Sequence, residues 1–429
     1  MKRLFITLTT CAIAALCNAQ TAKQEIAENP FLSASNHLSY LNQLSTQKLT
    51  PAPKGYEAFY FTHYGRHGSR WLCGDHDYKS VIEDLEKAQQ AGKLTPKGEE
   101  VLEGVRKIYA TSHKRIGDLT TVGERQHHGI GKRITENFPE IFKKKNVHID
   151  ARSTVVGRCI LSMIAECEEF MAANPTATIH NDVSESLQYY LNQDWSHFLR
   201  KVNSAGDSLK HATRKAYTHS ERIYSVLFTD TKWAFDNIDH LKFTNRLFDV
   251  ASNMQSHDID VDILSLFTAD ELYDLWHIRN VEWYISYGPS PVTKSLMPFT
   301  QYNLLRNIIA TADTITETQA TLRFGHEVCV MPLAALLELG DCGRATTDLD
   351  NLDTFWRNYR IFPMASNIQL IFYRPKNGKK GDILVKALLN EREMSMPVPS
   401  DTHPYYKWSD LRKYYVEKLD KFDAIEKGE

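Results

Sequence analysis

Residues 59–71 read FYFTHYGRHGSRW. The first half is aromatic and β-branched and a glycine-bearing turn follows, so Glu57–Thr62 is expected to form a buried strand. The second half, Arg66-His67-Gly68-Ser69-Arg70, sets two guanidinium groups around one imidazole. Both would repel that imidazole if it were protonated. The arrangement makes sense if His67 stays neutral, or if a polyanion shares the site. The strand-loop-helix context puts His67 at the carboxyl end of a strand, where open α/β sheets bind ligands. Gly68 reads as leaving room for an incoming group, and Arg70 as lying one helical turn beyond Arg66.

Two other segments share this grammar. Leu322-Arg323-Phe324-Gly325-His326-Glu327 reads as a strand, a glycine and polar groups ahead of a helix begun by Pro332. By itself it would equally suit a helix-capping acid beside a core histidine. Arg152-Ser153-Thr154-Val155-Val156-Gly157-Arg158 follows an expected strand, Val147–Ala151, and enters a helix reaching about Ala172. By itself, Arg158 would pass for a surface arginine. Together the three segments have one economical use. Arginine forks match the oxygens of a phosphomonoester with paired hydrogen bonds. A neutral imidazole can attack phosphorus, and a carboxylic acid can protonate the leaving alkoxide.

Composition narrows the setting. The chain has 429 residues, 24 % charged and 42 % hydrophobic, as in globular domains. A formal charge of −2 supplies no global basic field for nucleic acid, so attraction for anions must be local. Lys2-Arg3, the apolar run Leu4–Leu16 and Cys17-Asn18-Ala19 read as a secretory signal, residues 1–19, cleaved after Ala19. The protein is therefore expected to be secreted or periplasmic. That run falls short of the about 20 residues a membrane span needs, and no second apolar stretch of spanning length follows, so no transmembrane segment is expected. Of seven cysteines, Cys11 and Cys17 belong to the signal, which leaves an odd number. Cys329 and Cys342 could close a small loop. No C-x-x-C pair suggests structural zinc, and neither metal nor cofactor is expected. Nothing in the sequence indicates an oligomeric state.

Residues 20–54 read as an N-terminal arm with a short helix near His37–Gln47. Residues 55–182 form a first α/β part with helices Tyr78–Gly92 and Pro96–Tyr109. Residues 183–310 read as a mostly helical insertion, in which the capping box Thr268-Ala269-Asp270-Glu271 opens a helix toward Tyr287. Residues 311–429 return to α/β: a strand Ala320–Phe324, a hairpin of Asn367–Tyr373 and Ile383–Leu389, and an amphipathic helix Ser409–Ile425 with a solvated lysine-rich face. The fold class is α/β, interrupted by a helical cap.

Arg66-His67-Gly68-Ser69-Arg70, Gly157-Arg158-Cys159 with Ser162, and Gly325-His326-Glu327 resemble the signatures of the histidine acid phosphatases, the branch of the histidine phosphatase superfamily that contains phytases. Leu119–His127 is similar to that family's Leu-Thr-x-x-Gly segment, and the order is the same. The resemblance spans about Glu57–Pro397. It implies a mixed central sheet flanked by helices, like phosphoglycerate mutases, with a helical cap forming one wall of the cleft. It also implies that His67 is the phosphorylated nucleophile, that Arg66, Arg70, Arg158 and His326 hold the phosphate, and that Glu327 is the proton donor. The multiple inositol-polyphosphate phosphatases come nearest, although animal members read His-Ala-Glu where Glu327 here directly follows His326. Trp71-Leu72 also stands where many relatives place proline.

The implied substrate is a small phosphorylated molecule, an inositol polyphosphate such as phytate. The unabsorbed cationic segments Ser112–Arg115 and Arg125–Arg133 are candidates to receive phosphates not being cleaved. Competing readings are a broad-specificity acid phosphatase, a bisphosphoglycerate or sugar phosphatase with the same site, and a non-catalytic polyanion binder.

Overall fold

The aromatic run around residue 60 forms strand β1, Tyr56–Arg66, in the computed structural model of the protein, which describes residues 20–315 and 317–428. The expected secretory segment 1–19 lies outside the described residues. β1 continues past Thr62 because both its faces are covered. Tyr60 and Tyr64 join one core layer and Phe61 joins the other. A strand buried on both sides shows no polar alternation, so its end leaves no mark in the sequence.

The remaining strands are β2 (His148–Ser153), β3 (Thr178–Asp182), β4 (Thr318–Gly325), β5 (Asn367–Pro375), β6 (Leu384–Leu389), β7 (Arg392–Met394) and β8 (Tyr406–Lys407). Their order is β3-β2-β4-β1-β5-β6-β7, with β8 on β6. β3, β2, β4 and β1 run parallel, while β5 is antiparallel to β1 and β6 to β5, so the sheet is mixed. The edge strand β3 was not anticipated; its sequence, TIHND, is too polar and exposed to read as a strand. Register sets Arg66 beside Gly325 and Ser153 beside Phe324. The carboxyl ends of β1, β2 and β4 are therefore neighbours, and they carry the three segments singled out above.

The principal helices are α1 (Ala22–Glu28), α2 (Asp75–Gln90), α3 (Pro96–Thr111), α4 (Thr121–Asn137), α5 (Gly157–Ala173), α6 (His240–Asn253), α7 (Ala269–Tyr287), α8 (Glu327–Leu336) and α9 (Trp408–Lys427). α4 and α5 cover one face of the sheet, with Ile130, Ile134, Met163 and Phe170 against Phe61, Ile149 and Phe324. α8 and α9 cover the other through Val330, Leu333, Leu411 and Tyr415. A separate core joins α2 and α3 to α6 and the first half of α7, through Val81, Leu85, Leu102, Phe243 and Trp276. No described residue between 183 and 315 lies in a strand. The capping box at Thr268 and Glu271 forms as expected.

Two local expectations fail for identifiable reasons. α8 begins at Glu327, and Pro332 lies inside it. A proline there cannot donate to the carbonyl four residues back; Gln193 Nε2 donates to that carbonyl, Val328 O, at 3.1 Å instead. The arm makes two 3₁₀ segments, Pro30–His37 and Tyr40–Gln43, in place of a helix over 37–47. Distant partners take its backbone groups: Ser39 N–H donates to Gln255 Oε1 and Met364 N–H to Leu38 O. Cys329 and Cys342 do not pair, and Cys73, Cys159 and Cys167 are free as well. Among the described residues, no helix is long and apolar enough to cross a membrane.

Candidate active site

His67 is the first residue past β1, and its N–H donates to Gly325 O at 2.9 Å, across to the end of β4. Its ring is fully buried. Nδ1 lies 2.8 Å from Gly68 O. A carbonyl only accepts, so the proton is on Nδ1 and the lone pair is on Nε2. Nε2 has no hydrogen-bond partner in the protein and faces Glu327 Oε2 at 3.6 Å. Burial, followed by the charges of Arg66 and Arg158, holds the imidazole well below its ordinary pKa despite the pull of Glu327. The imidazole is thus neutral, with the lone pair free on Nε2, as a nucleophile requires.

Arg66 is fixed from behind. Its Nη1 donates to Asn36 O at 2.6 Å and to Phe362 O at 3.0 Å. Its Nε is 3.1 Å from Glu327 Oε2, close enough for an ion pair but off the line of a hydrogen bond, and Nη2 is unpartnered too. Arg70 donates through Nη1 to Trp71 O, and its Nη2 lies 3.8 Å from Glu327 Oε1. Arg158, in the first turn of α5, donates to Gly117 O at 3.3 Å. Nε of Arg70 and Nε of Arg158 are buried without an acceptor. Buried N–H groups are normally paired, and leaving one unmade costs about 1–3 kcal/mol. Such a concentration of free donors around one imidazole is the signature of an oxyanion pocket.

Glu327 opens α8 and is 9 % exposed, where the helix dipole favours a carboxylate. Burial would raise its pKa. Arg66 and Arg70 beside it outweigh burial and hold the carboxyl well below the usual glutamate range. His326 packs edge-on to His67, ring centroids 5.6 Å apart, and burial followed by Arg158, Arg66 and Arg70 pushes its pKa down to about 4 against the opposing Glu327. The structure therefore brings all six sequence-derived residues, Arg66, His67, Arg70, Arg158, His326 and Glu327, into one cluster. His67, His326 and Glu327 offer ligand atoms within 4.8 Å of one another. That spacing would suit a metal ion, but three guanidiniums around it oppose a dication and favour an anion.

Several supporting contacts correct the reading of single residues. Arg70 is not a helical turn beyond Arg66; residues 67–72 form a loop in which Arg70 bridges Leu119. Gly68 makes room for protein, not substrate: a Cβ there would collide with the backbone of Gly123 in α4, and a Cβ on Gly123 with the backbone of Ser69. The loop is further held by Gln126 Oε1, which accepts from Ser69 N–H at 2.9 Å, and by Ser162 Oγ, which accepts from Gly68 N–H at 3.1 Å. One turn further along, His127 and Glu166 tie α4 to α5 at 2.7 Å with no exposure.

Of the cationic segments, Arg125 is bound to Asp258 and Arg133 to Glu391, which removes both as phosphate receivers. Lys114 and Arg115 are exposed, and the Arg115 guanidinium lies 4.3 Å over the Trp71 ring and 3.8 Å from Asp118. Sequence reasoning missed His37. Its Nδ1 is buried without a partner, and burial followed by Arg70 and Arg66 keeps its pKa well below normal. A lone histidine in a polar arm gives no signal; only the fold brings it beside the cluster.

The fold is that of a histidine phosphatase, and the model of the histidine phosphatase superfamily (branch 2) matches residues 65–390. The chain belongs to that family. Its fold is similar to the Bifidobacterium longum multiple inositol polyphosphate phosphatase in complex with inositol hexasulfate, with a TM-score of 0.72, 19 % identity, and coverage of 89 % of this chain and 96 % of that one. The phytase from D. castellii follows at 0.68, 14 % identity, and coverage of 95 % and 88 %. Hafnia alvei phytase in complex with tartrate gives 0.53 and 14 %, with coverage of 85 % and 98 %. Likeness at such identities establishes the shared fold. No curated protein matches the sequence.

Proposed function

We propose that the protein is an exported phosphatase that hydrolyses the phosphomonoesters of inositol polyphosphates, phytate among them, through a phosphohistidine on His67. The observation that carries the reading is the neutral imidazole with a free Nε2 inside three arginines whose buried N–H groups find no acceptor in the protein. In this account Arg66, Arg70, Arg158 and His326 bind the phosphate of the attacked ester. Nε2 of His67 forms a bond to phosphorus as the ester oxygen departs, and Glu327 gives that oxygen its proton. Glu327, now ionised, takes a proton from water as water cleaves the phosphorus–nitrogen bond. Phosphate is released and the imidazole is free again. The helical segment 183–310 acts as the cap over the cleft.

Glu327 is ionised in the unliganded site, so the donor's proton must be restored on binding. An incoming phosphate supplies the means: its charge offsets the arginines that hold the carboxyl down. The test is product profiling on phytate with purified protein and no added metal. Stepwise release of several phosphates, lost in His67→Ala, is expected. Release that survives the substitution refutes the assignment. A higher kcat/KM for a simple aryl phosphate than for phytate would transfer it to a broad-specificity phosphatase.

A further inference from the structure

A second group of three arginines lies outside the site around His67. It lines a cavity of about 500 Å³ bounded by α1, β7 and the segment 354–361. Arg357 forms an ion pair through Nη1 with Glu25 Oε1 at 2.8 Å, and donates through Nη2 to Gln20 O at 2.8 Å and through Nε to Asp353 O at 2.7 Å. Arg360 reaches the same Glu25 oxygen, and Tyr359 donates its hydroxyl to the other. One carboxylate thus answers two guanidiniums and a phenol. Arg392 is left over. It is half-buried and has no hydrogen bond or ion pair with any described residue, and Arg360, of like sign, is its strongest charged neighbour. Asp341, exposed on the same cavity, makes no ion pair among the described residues either.

A guanidinium partly withdrawn from water beside another loses hydration and gains repulsion, which the weaker pull of Tyr40 and Glu25 offsets only in part. A bound oxyanion would supply the remainder, since the planar fork fits two oxygens at once. The cavity is of the size that takes a small molecule, and Phe355, Ile361 and Met394 give it an apolar wall. We propose that this cavity is a second binding site, separate from the catalytic one, for a small molecule bearing a phosphate group, held by Arg392 and Arg360. Nothing in the argument depends on the reaction at His67.

Calorimetric titration of the full chain tests it, with inorganic phosphate and inositol hexakissulfate as separate probes. The wild-type protein should bind at two sites. Arg392→Gln should weaken one of them at least about tenfold, as expected for loss of a charge-assisted pair. The other, identified by competitive inhibition of aryl phosphate hydrolysis, should keep its affinity. The probe that binds more tightly at the Arg392 site distinguishes free phosphate from a polyanionic ester as its natural source, and either result supports the site. If Arg392→Gln does not fold, Arg392→Lys, which keeps the charge and loses the fork, should weaken the same site. A single site in the wild-type protein, or two sites indifferent to both substitutions, overturns the proposal. Should catalysis at His67 prove absent, the count of sites and its dependence on Arg392 would still decide the matter.

Discussion

Arg66, Arg70 and Arg158 surround an imidazole, whereas Arg357, Arg360 and Arg392 surround a cavity that has none. The two groups have the same number of guanidiniums and differ in what those guanidiniums touch. In the second, one carboxylate, Glu25, pairs with two of the three. In the first, the arginines are anchored by the backbone carbonyls of Asn36, Phe362, Trp71 and Gly117, which take no charge away. The single carboxylate among them, Glu327, sits on a helix N-terminus and can exchange a proton. Each cluster thus sets one carboxylate against two of its three guanidiniums, and what separates them is the neutral imidazole between the arginines of the first. The first cluster is suited to stabilising charge that develops during a reaction, the second only to binding.

The largest effect should come from removing the reacting nitrogen. His67→Ala is expected to lower kcat on any phosphomonoester by at least about 10³-fold, since loss of a nucleophile removes the whole covalent route. Steady-state kinetics checks this, and comparable activity would erase the distinction between the two clusters. Next is the donor. Glu327→Gln should cost about 10²–10⁴-fold on an inositol phosphate, the usual worth of a general acid. The loss should be much smaller on p-nitrophenyl phosphate, whose leaving group needs no proton. Equal losses on both substrates would show that Glu327 acts by position or charge alone.

The close backbone approach behind His67 offers a third test. Gly123→Ala places a methyl group against the Ser69 backbone, which should destabilise the fold by about 1–3 kcal/mol and reduce activity together with it. Denaturant unfolding and kinetics on the same variant measure both. Wild-type values would mean that the loop does not depend on α4.

This support was the part of the site least legible in the sequence. The six clustered residues could be read because each stands within five residues of a strand end and belongs to a short pattern of uncommon residues. Gly68 was misread because a missing side chain does not say which neighbour needs the space. His37 and Arg392 could not be found at all, since each is an isolated residue that only tertiary packing brings beside other charges. The fold shows the same division. β1 was visible as an aromatic-rich run, β2 and β4 as short segments ahead of a helix entry, and the paired hairpin β5–β6 as two apolar runs around a turn. β3 was too polar, and α8 was started late because a proline's missing hydrogen bond is repaired by a glutamine far away in sequence.

A smaller effect concerns pH. Burial and neighbouring cations hold His326 near 4, and burial alone is the main cause of a similar value for His63; His67 lies lower than normal too. Groups with depressed pKa values in the folded state stabilise it fully above their unfolded value of about 6.5 and lose that contribution as pH falls toward the folded value. The unliganded protein should therefore show a falling Tm between about pH 6.5 and 4, and added phosphate should reduce the fall. A Tm that is flat or rising on acidification would contradict a cluster of neutral imidazoles.

The most direct test of the reading as a whole is to denature the enzyme rapidly during turnover of a phosphate-labelled substrate and map the label on the chain. Label on His67, absent from His67→Ala and prolonged in a variant impaired in hydrolysis of the intermediate, is the predicted result. Turnover that never labels His67, or label carried by another residue, would contradict it.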